Sequence, residues 1–219
     1  MSIWIKICAN TSLEDALLSA DAGADAVGFV FAPSPRRVTA EQVAVIIPNL
    51  PTKLEKIGVF VDAAFEEIES TVMTSGLTGV QLHFDASPDL PSRLREQFGP
   101  NLRILRVIHF EPDAVEAVAA VLKDPNIDAI LVDSRAASAV GGTGKSFDWL
   151  AASRTLFQNP NGPKLVAAGG LNPENVAEAI RLLQPWGVDV VSGVEAAPGR
   201  KDPDKVAEFI ASARAADGR

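Results

Sequence analysis

Short apolar runs alternate with amphipathic stretches along the whole 219-residue chain. The runs are nearly continuous in aliphatic residues, a pattern typical of parallel strands that are buried on both faces. They predict eight strands, at residues 3–7, 26–31, 55–60, 79–82, 103–108, 128–132, 164–168 and 187–191. Each strand is followed by a stretch in which the apolar residues recur at a different spacing.

The intervening stretches predict helices, because their apolar residues recur about every 3.6 positions. In the first stretch, Ser12 suits the helix N-cap and Gly23 suits the helix end. The predicted helices cover residues 13–22, 39–47, 64–74, 88–98, 112–123, 148–157, 173–183 and 203–213. Eight strand–helix units predict an α/β fold and a single (β/α)8 TIM barrel domain over residues 1–219, with an open doubly wound sheet as the main alternative.

Net charge, apolar run length and cysteine content limit the binding partners and the cellular compartment that fit this sequence. The net charge of −8 argues against nucleic-acid binding, which needs a basic surface. No apolar run approaches the roughly 18 residues of a membrane span, and the N-terminal run is short and interrupted by Lys6, unlike a signal peptide. Cys8 is the sole cysteine, which fits a reducing compartment and predicts a cytoplasmic protein.

Two residues that follow strands are candidates for acid–base chemistry, because the active site of this fold lies at the carboxyl ends of its strands. Cys8 follows the first strand and Asp133 the sixth. A thiol has a pKa of about 8.5, so a modest downward shift would supply a thiolate base at neutral pH. The two groups are predicted to act as base and acid on one ligand. The alternatives are a buried apolar cysteine and an inert, solvated carboxylate.

Two glycine-containing turns predict a phosphate site. Gly169 and Gly170 follow the seventh strand, and Ser192 and Gly193 follow the eighth, where this fold usually binds phosphate. Glycines let the backbone approach an anion, and a short helix that begins at Ser192 would point N–H groups at it. The alternative is that these glycines only form tight turns.

A third glycine-rich segment, at residues 141–146, ends in Gly-Lys-Ser but is not a nucleotide-binding P-loop. The position that such a loop reserves for its first glycine is Ala139. Gly142 and its neighbours are better interpreted as a mobile loop that closes over a ligand.

The remaining polar candidates are histidines and arginines. His83 is either a ligand contact or a histidine at the barrel rim, and for His109 the rim interpretation is favoured. Neither has a partner at the spacing of a metal site. Arg36 and Arg37 are either surface charges or include one forked contact to a ligand carboxylate.

Landmarks along essentially the whole chain resemble the phosphoribosylanthranilate isomerase family. The matching segments are residues 6–8, 24–31, 34–37, 59–61, 80–83, 141–149, 168–176 and 188–195. The resemblance implies an Amadori rearrangement of N-(5-phosphoribosyl)anthranilate in tryptophan biosynthesis. It implies Cys8 as the base at C2 of the ribose and Asp133 as the acid at the ring oxygen. It also implies that Arg37 holds the anthranilate carboxylate, that the two turns hold the phosphate, and that no metal or organic cofactor is used.

His83 and Gly142 are further candidate contacts to this small phosphorylated substrate, and no obligate protein partner is implied. Three positions depart from the family, which usually has Gly where Ala9 and Phe84 stand and often Ser where Val191 stands. Two alternatives remain. The first is a related phosphate barrel such as indole-3-glycerol-phosphate synthase or the tryptophan synthase α subunit. The second is an inactive relative that only binds a phosphorylated ligand.

Overall fold

Eight parallel strands close into a barrel in which the order around the barrel follows the order along the chain. The computed structural model describes residues 2–83, 87–109, 121, 123–133, 157 and 164–218. The strands are β1 (Trp4–Ile7), β2 (Ala26–Val30), β3 (Glu55–Val61), β4 (Gly79–His83), β5 (Arg103–His109), β6 (Ala129–Asp133), β7 (Leu165–Ala168) and β8 (Gly187–Val190). The closed barrel confirms the predicted fold and excludes the open sheet.

Six helices are described on the outside of the barrel. They are α1 (Leu13–Asp21), α2 (Ala40–Ile46), α3 (Phe65–Ser75), α4 (Leu90–Phe98), α5 (Val176–Leu183) and α6 (Pro203–Ala216). The Ser12 hydroxyl caps α1 as predicted, and Thr39 forms a reciprocal capping box with Gln42 at the start of α2. The predicted helices at 112–123 and 148–157 fall mainly on residues outside the described ranges.

Side chains alternate between the two faces of each strand, which divides the barrel into an outer and an inner core. The outward residues of β1, Ile5 and Ile7 among them, pack under α5 and α6. Inside the barrel, the amino-terminal end is apolar, and Trp4 stacks on Trp186 with ring centroids 5.1 Å apart. This apolar floor positions the polar residues that follow it along the strands.

No helix among the described residues is long and apolar enough to cross a membrane.

Candidate active site

Cys8, His83 and Asp133 lie at the carboxyl end of the barrel: Cys8 directly follows β1, and His83 and Asp133 end β4 and β6. Each stands two residues after an inward-facing side chain, so strand alternation directs all three toward the barrel mouth. Cys8 is 3% exposed and Asp133 4% exposed, while His83 is half-buried. The predicted base and acid therefore both occupy the mouth of the barrel, largely screened from bulk water.

The environment of Cys8 determines the direction of its pKa shift, which the sequence left open. Burial raises the pKa of the Cys8 thiol, because removal from water disfavours the thiolate. The positive charge of Lys6 opposes this increase, whereas the carboxylate of Asp189 adds to it. The pKa of the Cys8 thiol therefore lies above its ordinary value, and Lys6 is the strongest of the cationic groups that oppose the increase.

Lys6 forms a polar layer directly below Cys8. Its ammonium donates hydrogen bonds of 2.8 Å to Asp189 Oδ1 and 2.8 Å to Gln81 Oε1, and the residue is fully buried. Burial alone would lower the pKa of Lys6, but the charges of Asp189 and Cys8 raise it, so Lys6 carries a positive charge. The sequence contained one signal of this layer, a charged residue in the middle of an otherwise apolar strand.

A second ionic group ties the loop after β2 to the end of β8. Arg36 makes a forked contact with Glu195, with Nε–Oε1 and Nη2–Oε2 distances of 2.8 and 2.6 Å. A hairpin of β9 (Glu195–Ala197) and β10 (Arg200–Lys201) places Lys201 beside Glu195. The Lys201 ammonium donates to the Cys8 carbonyl oxygen at 2.6 Å. This group holds the backbone that carries Cys8.

Arg36 and Arg37, the two arginines after β2, differ in exposure and in what their side chains contact. Arg36 is committed to Glu195, whereas the Arg37 side chain is exposed. Burial would raise the pKa of Glu195, but the Arg36 hydrogen bonds and the charge of Lys201 lower it, so Glu195 is an anion. Of the two arginines, Arg36 is therefore held by the protein itself and Arg37 is the exposed one.

The turns after β7 and β8 pack against each other. Gly169 and Gly170 have φ angles of 84° and 69°, in the left-handed region that favours glycine, and Ser192–Val194 forms a 3-10 helix as predicted. A β-carbon on Gly193 would lie 2.0 Å from the Leu171 carbonyl oxygen. The backbones of the two turns therefore lie in direct contact at this point.

Ala9, where the family usually has Gly, adopts a φ of 63° and is fully buried. A side chain in this left-handed conformation is strained, and a glycine would adopt it freely. Thus the first loop keeps a conformation suited to glycine despite the substitution.

Several predicted residues cannot be placed. Gly142, the rest of its glycine-rich segment and Phe84 lie outside the described residues, and of His109 only the backbone at the end of β5 is described. Among the residues that are described, no cluster of three or more His, Cys, Asp or Glu side chains is arranged to hold a metal ion.

Comparisons with known proteins agree with one family. The family model of N-(5′-phosphoribosyl)anthranilate isomerase matches residues 5–212. A protein of that name from Pelobacter propionicus is 44% identical over 97% of this chain and 96% of its own length. The solved structure of phosphoribosyl anthranilate isomerase from Thermotoga maritima has a TM-score of 0.85 and 37% identity, over 97% of this chain and 99% of that one.

A further solved structure of such an isomerase contains reduced 1-(o-carboxyphenylamino)-1-deoxyribulose 5-phosphate. Its TM-score to this chain is 0.82 and its identity 35%, over 97% of this chain and 99% of that one.

Proposed function

The chain belongs to the N-(5′-phosphoribosyl)anthranilate isomerase family, and from that premise we propose how its barrel mouth carries out the reaction. It is an isomerase of tryptophan biosynthesis that converts N-(5′-phosphoribosyl)anthranilate into 1-(2-carboxyphenylamino)-1-deoxyribulose 5-phosphate. The observation that carries the residue assignment is the joint burial of one thiol and one carboxyl group at the mouth of the same barrel. This rearrangement needs one proton acceptor and one proton donor.

Asp133 acts as the general acid and Cys8 as the general base. Protonation of the ring oxygen by Asp133 breaks its bond to C1, and the electron pair of the anthranilate nitrogen forms a C1–N double bond. The Cys8 thiolate then removes the proton from C2, which gives an enolamine that becomes the ketone when C1 takes up a proton. Each proton transfer of this kind contributes roughly 10²–10⁴-fold to the rate.

The two anionic ends of the substrate are bound by different means. The turns containing Gly169, Gly170, Ser192 and Gly193 bind the phosphate through backbone N–H groups, which suits a protein with a net charge of −8. The exposed guanidinium of Arg37 binds the anthranilate carboxylate in a forked contact. His83, at the rim between them, is a further substrate contact, and Gly142 belongs to a loop that closes over the ligand.

We further propose that residues 1–219 form one catalytic domain and that the protein is cytoplasmic. The only thiol in the chain, Cys8, has a chemical role that requires it to stay reduced, and the cytoplasm provides that condition.

The test is the loss of anthranilate-type fluorescence when freshly prepared substrate is mixed with the wild type, Cys8→Ala or Asp133→Asn. We expect rapid loss with the wild type and a turnover lower by roughly 10²-fold or more in each variant. Asp21→Asn, on the outer helix α1, is the control for an exchanged carboxylate far from the mouth. Turnover near the wild-type rate in either variant would contradict the role assigned to that residue.

A further inference from the structure

Lys6 is a buried charge that the proton transfers described above do not use. It is fully buried two residues before Cys8, and its ammonium lies 2.8 Å from the Asp189 carboxylate. A buried ion pair is weak support for a fold, because the cost of removing both charges from water offsets much of their attraction. We therefore expect the Lys6–Asp189 pair to have a role other than stabilising the fold, and the residues around Lys6 indicate that role.

The first neighbour is the sulfur of Cys8. A β-carbon on Gly28 would lie 2.5 Å from Cys8 Sγ and 3.0 Å from Lys6 Cε, so the sulfur and the end of the lysine chain border the same small space. An ammonium group has three donors, of which Asp189 and Gln81 each accept one. The charge of Lys6 lowers the pKa of the Cys8 thiol, and the charge of Cys8 in turn raises the pKa of Lys6, so the two groups act on each other across this space.

The second neighbour of Lys6 is Gln81, whose side chain connects Lys6 to His83 through hydrogen bonds. Lys6 can only donate, so the oxygen of the Gln81 amide faces Lys6, and its nitrogen lies 3.1 Å from His83 Nε2. That amide nitrogen is itself a donor, so His83 Nε2 has to accept. A hydrogen-bond network of this kind assigns the tautomer: His83 is neutral and carries its proton on Nδ1. An imidazolium would place two donors against each other.

We propose that Lys6 is a positioning residue that acts on two groups of the mouth at once: its ammonium supports the thiolate of Cys8, and through Gln81 it holds His83 as the neutral Nδ1–H tautomer. The proposal rests on the proposed function in that it takes Cys8 as the base and His83 as a substrate contact. A neutral His83 does not compete with Asp133 as an acid.

Other charged groups also act on Cys8, and the test has to separate their effects from that of Lys6. They are Asp189, Lys201 and Arg36, and Glu195 is paired with the last two. Asp189 opposes the effect of Lys6 on the thiol, so exchanging either partner alone is expected to shift the thiol titration in opposite directions. A residue with a merely structural role would not produce a pair of shifts with opposite signs.

The titrations are measured on the free enzyme by NMR. The chain has one cysteine and two histidines, so ¹³Cβ-labelled cysteine reports the thiolate of Cys8 and ¹⁵N-labelled histidine reports the tautomer and charge of His83. A His109→Gln variant assigns the two histidine signals. In the wild type we expect the ¹⁵N signals of His83 to show the proton on Nδ1 and none on Nε2 at neutral pH.

Lys6→Met is expected to lower the thiolate fraction of Cys8 about tenfold or more at a given pH, which corresponds to one unit in its pKa. Asp189→Asn is expected to raise that fraction. Gln81→Met should release His83 to a mixture of tautomers while shifting the thiol titration far less than Lys6→Met does. The control is Lys56→Met, a second buried lysine whose ammonium instead donates to the Pro51 carbonyl oxygen; both titrations should be unchanged.

If Lys6→Met does not fold because Asp189 is left without its cation, Lys6→Met/Asp189→Asn removes both charges and still frees Gln81. An unshifted thiol titration in Lys6→Met, or an Nε2–H tautomer of His83 in the wild type, would overturn the proposal. In the double variant, an unchanged His83 tautomer would overturn it as well. These measurements need no substrate, so a fully active Cys8→Ala enzyme would refute the proposed base without deciding the role of Lys6.

Discussion

Gly28→Ala tests whether the position of the Cys8 sulfur limits turnover. The new methyl group would lie 2.5 Å from Cys8 Sγ and 3.1 Å from Cys8 Cα, against an ordinary contact of about 3.5–4.0 Å. The sulfur therefore has to move by about 1 Å or more, because the strand backbone behind it leaves no room. A displacement of about 1 Å in a catalytic group costs roughly 10²-fold in rate. We also expect overpacking to cost about 1–3 kcal/mol of stability.

The assay compares kcat from the fluorescence decay with the free energy of unfolding in urea. Gly58→Ala in β3 is the matched control, because its methyl group would lie 2.6 Å from Leu77 Cδ1 and 2.8 Å from Phe60 Cε2, on the outer face of the strand. The control should lose similar stability and keep its turnover. A folded Gly28→Ala enzyme with wild-type kcat would refute the reasoning, since either the sulfur is not displaced or it is not the base.

Three further results are expected. Arg37→Ala should raise KM with little change in kcat, whereas Arg181→Ala on the exposed face of α5 should change neither; equal KM values would argue against the carboxylate contact. Gly193→Ala would bring a methyl group within 2.0 Å of the Leu171 carbonyl oxygen, so the two turns must separate and inhibition by inorganic phosphate should weaken; unaltered inhibition would place the phosphate elsewhere. Burial would raise the pKa of Glu195, but its cationic partners lower it below the ordinary 4.5. Its contribution to stability is therefore complete above that pH and is lost as the pH falls through the lower folded value, so urea unfolding should depend more steeply on acid pH in the wild type than in Glu195→Gln.

The strands were predictable because each one is a nearly continuous apolar run. All eight begin and end within one residue of the predicted bounds, and α1 and α2 begin at the caps that Ser12 and Thr39 indicated. The start of α5 was predicted three residues too early, at Pro173. There the side chains of Asn172 and Asn175 each accept a hydrogen bond from the backbone N–H of the other, which holds a turn before the helix begins.

The positions of Cys8 and Asp133, the proposed base and acid, were easier to predict than the charged groups around them. Cys8 and Asp133 follow strands, and the carboxyl ends of parallel strands meet at one face, so their position follows from local pattern alone. The contact of Lys6 with Asp189 instead joins residues 183 positions apart, which meet only because β8 closes on β1. The direction of the Cys8 pKa shift depends on the same closure, because burial is its largest cause.

Two glycines within the strands leave space that larger side chains fill at two levels of the barrel interior. Gly187 is paired with Trp4, and a β-carbon on it would lie 2.9 Å from the indole ring, so the floor can hold a tryptophan. Gly28 serves the same purpose near the mouth, where the space it leaves is filled by the Cys8 sulfur and the end of Lys6. The interior of a barrel with eight strands is just wide enough to be filled by side chains. At these two levels, a glycine on one strand makes room for a larger side chain on its neighbour. Glycine in a strand thus permits apolar packing at the floor and a charge beside the Cys8 sulfur at the mouth, and we expect a substitution at Gly28 to lower turnover as well as stability.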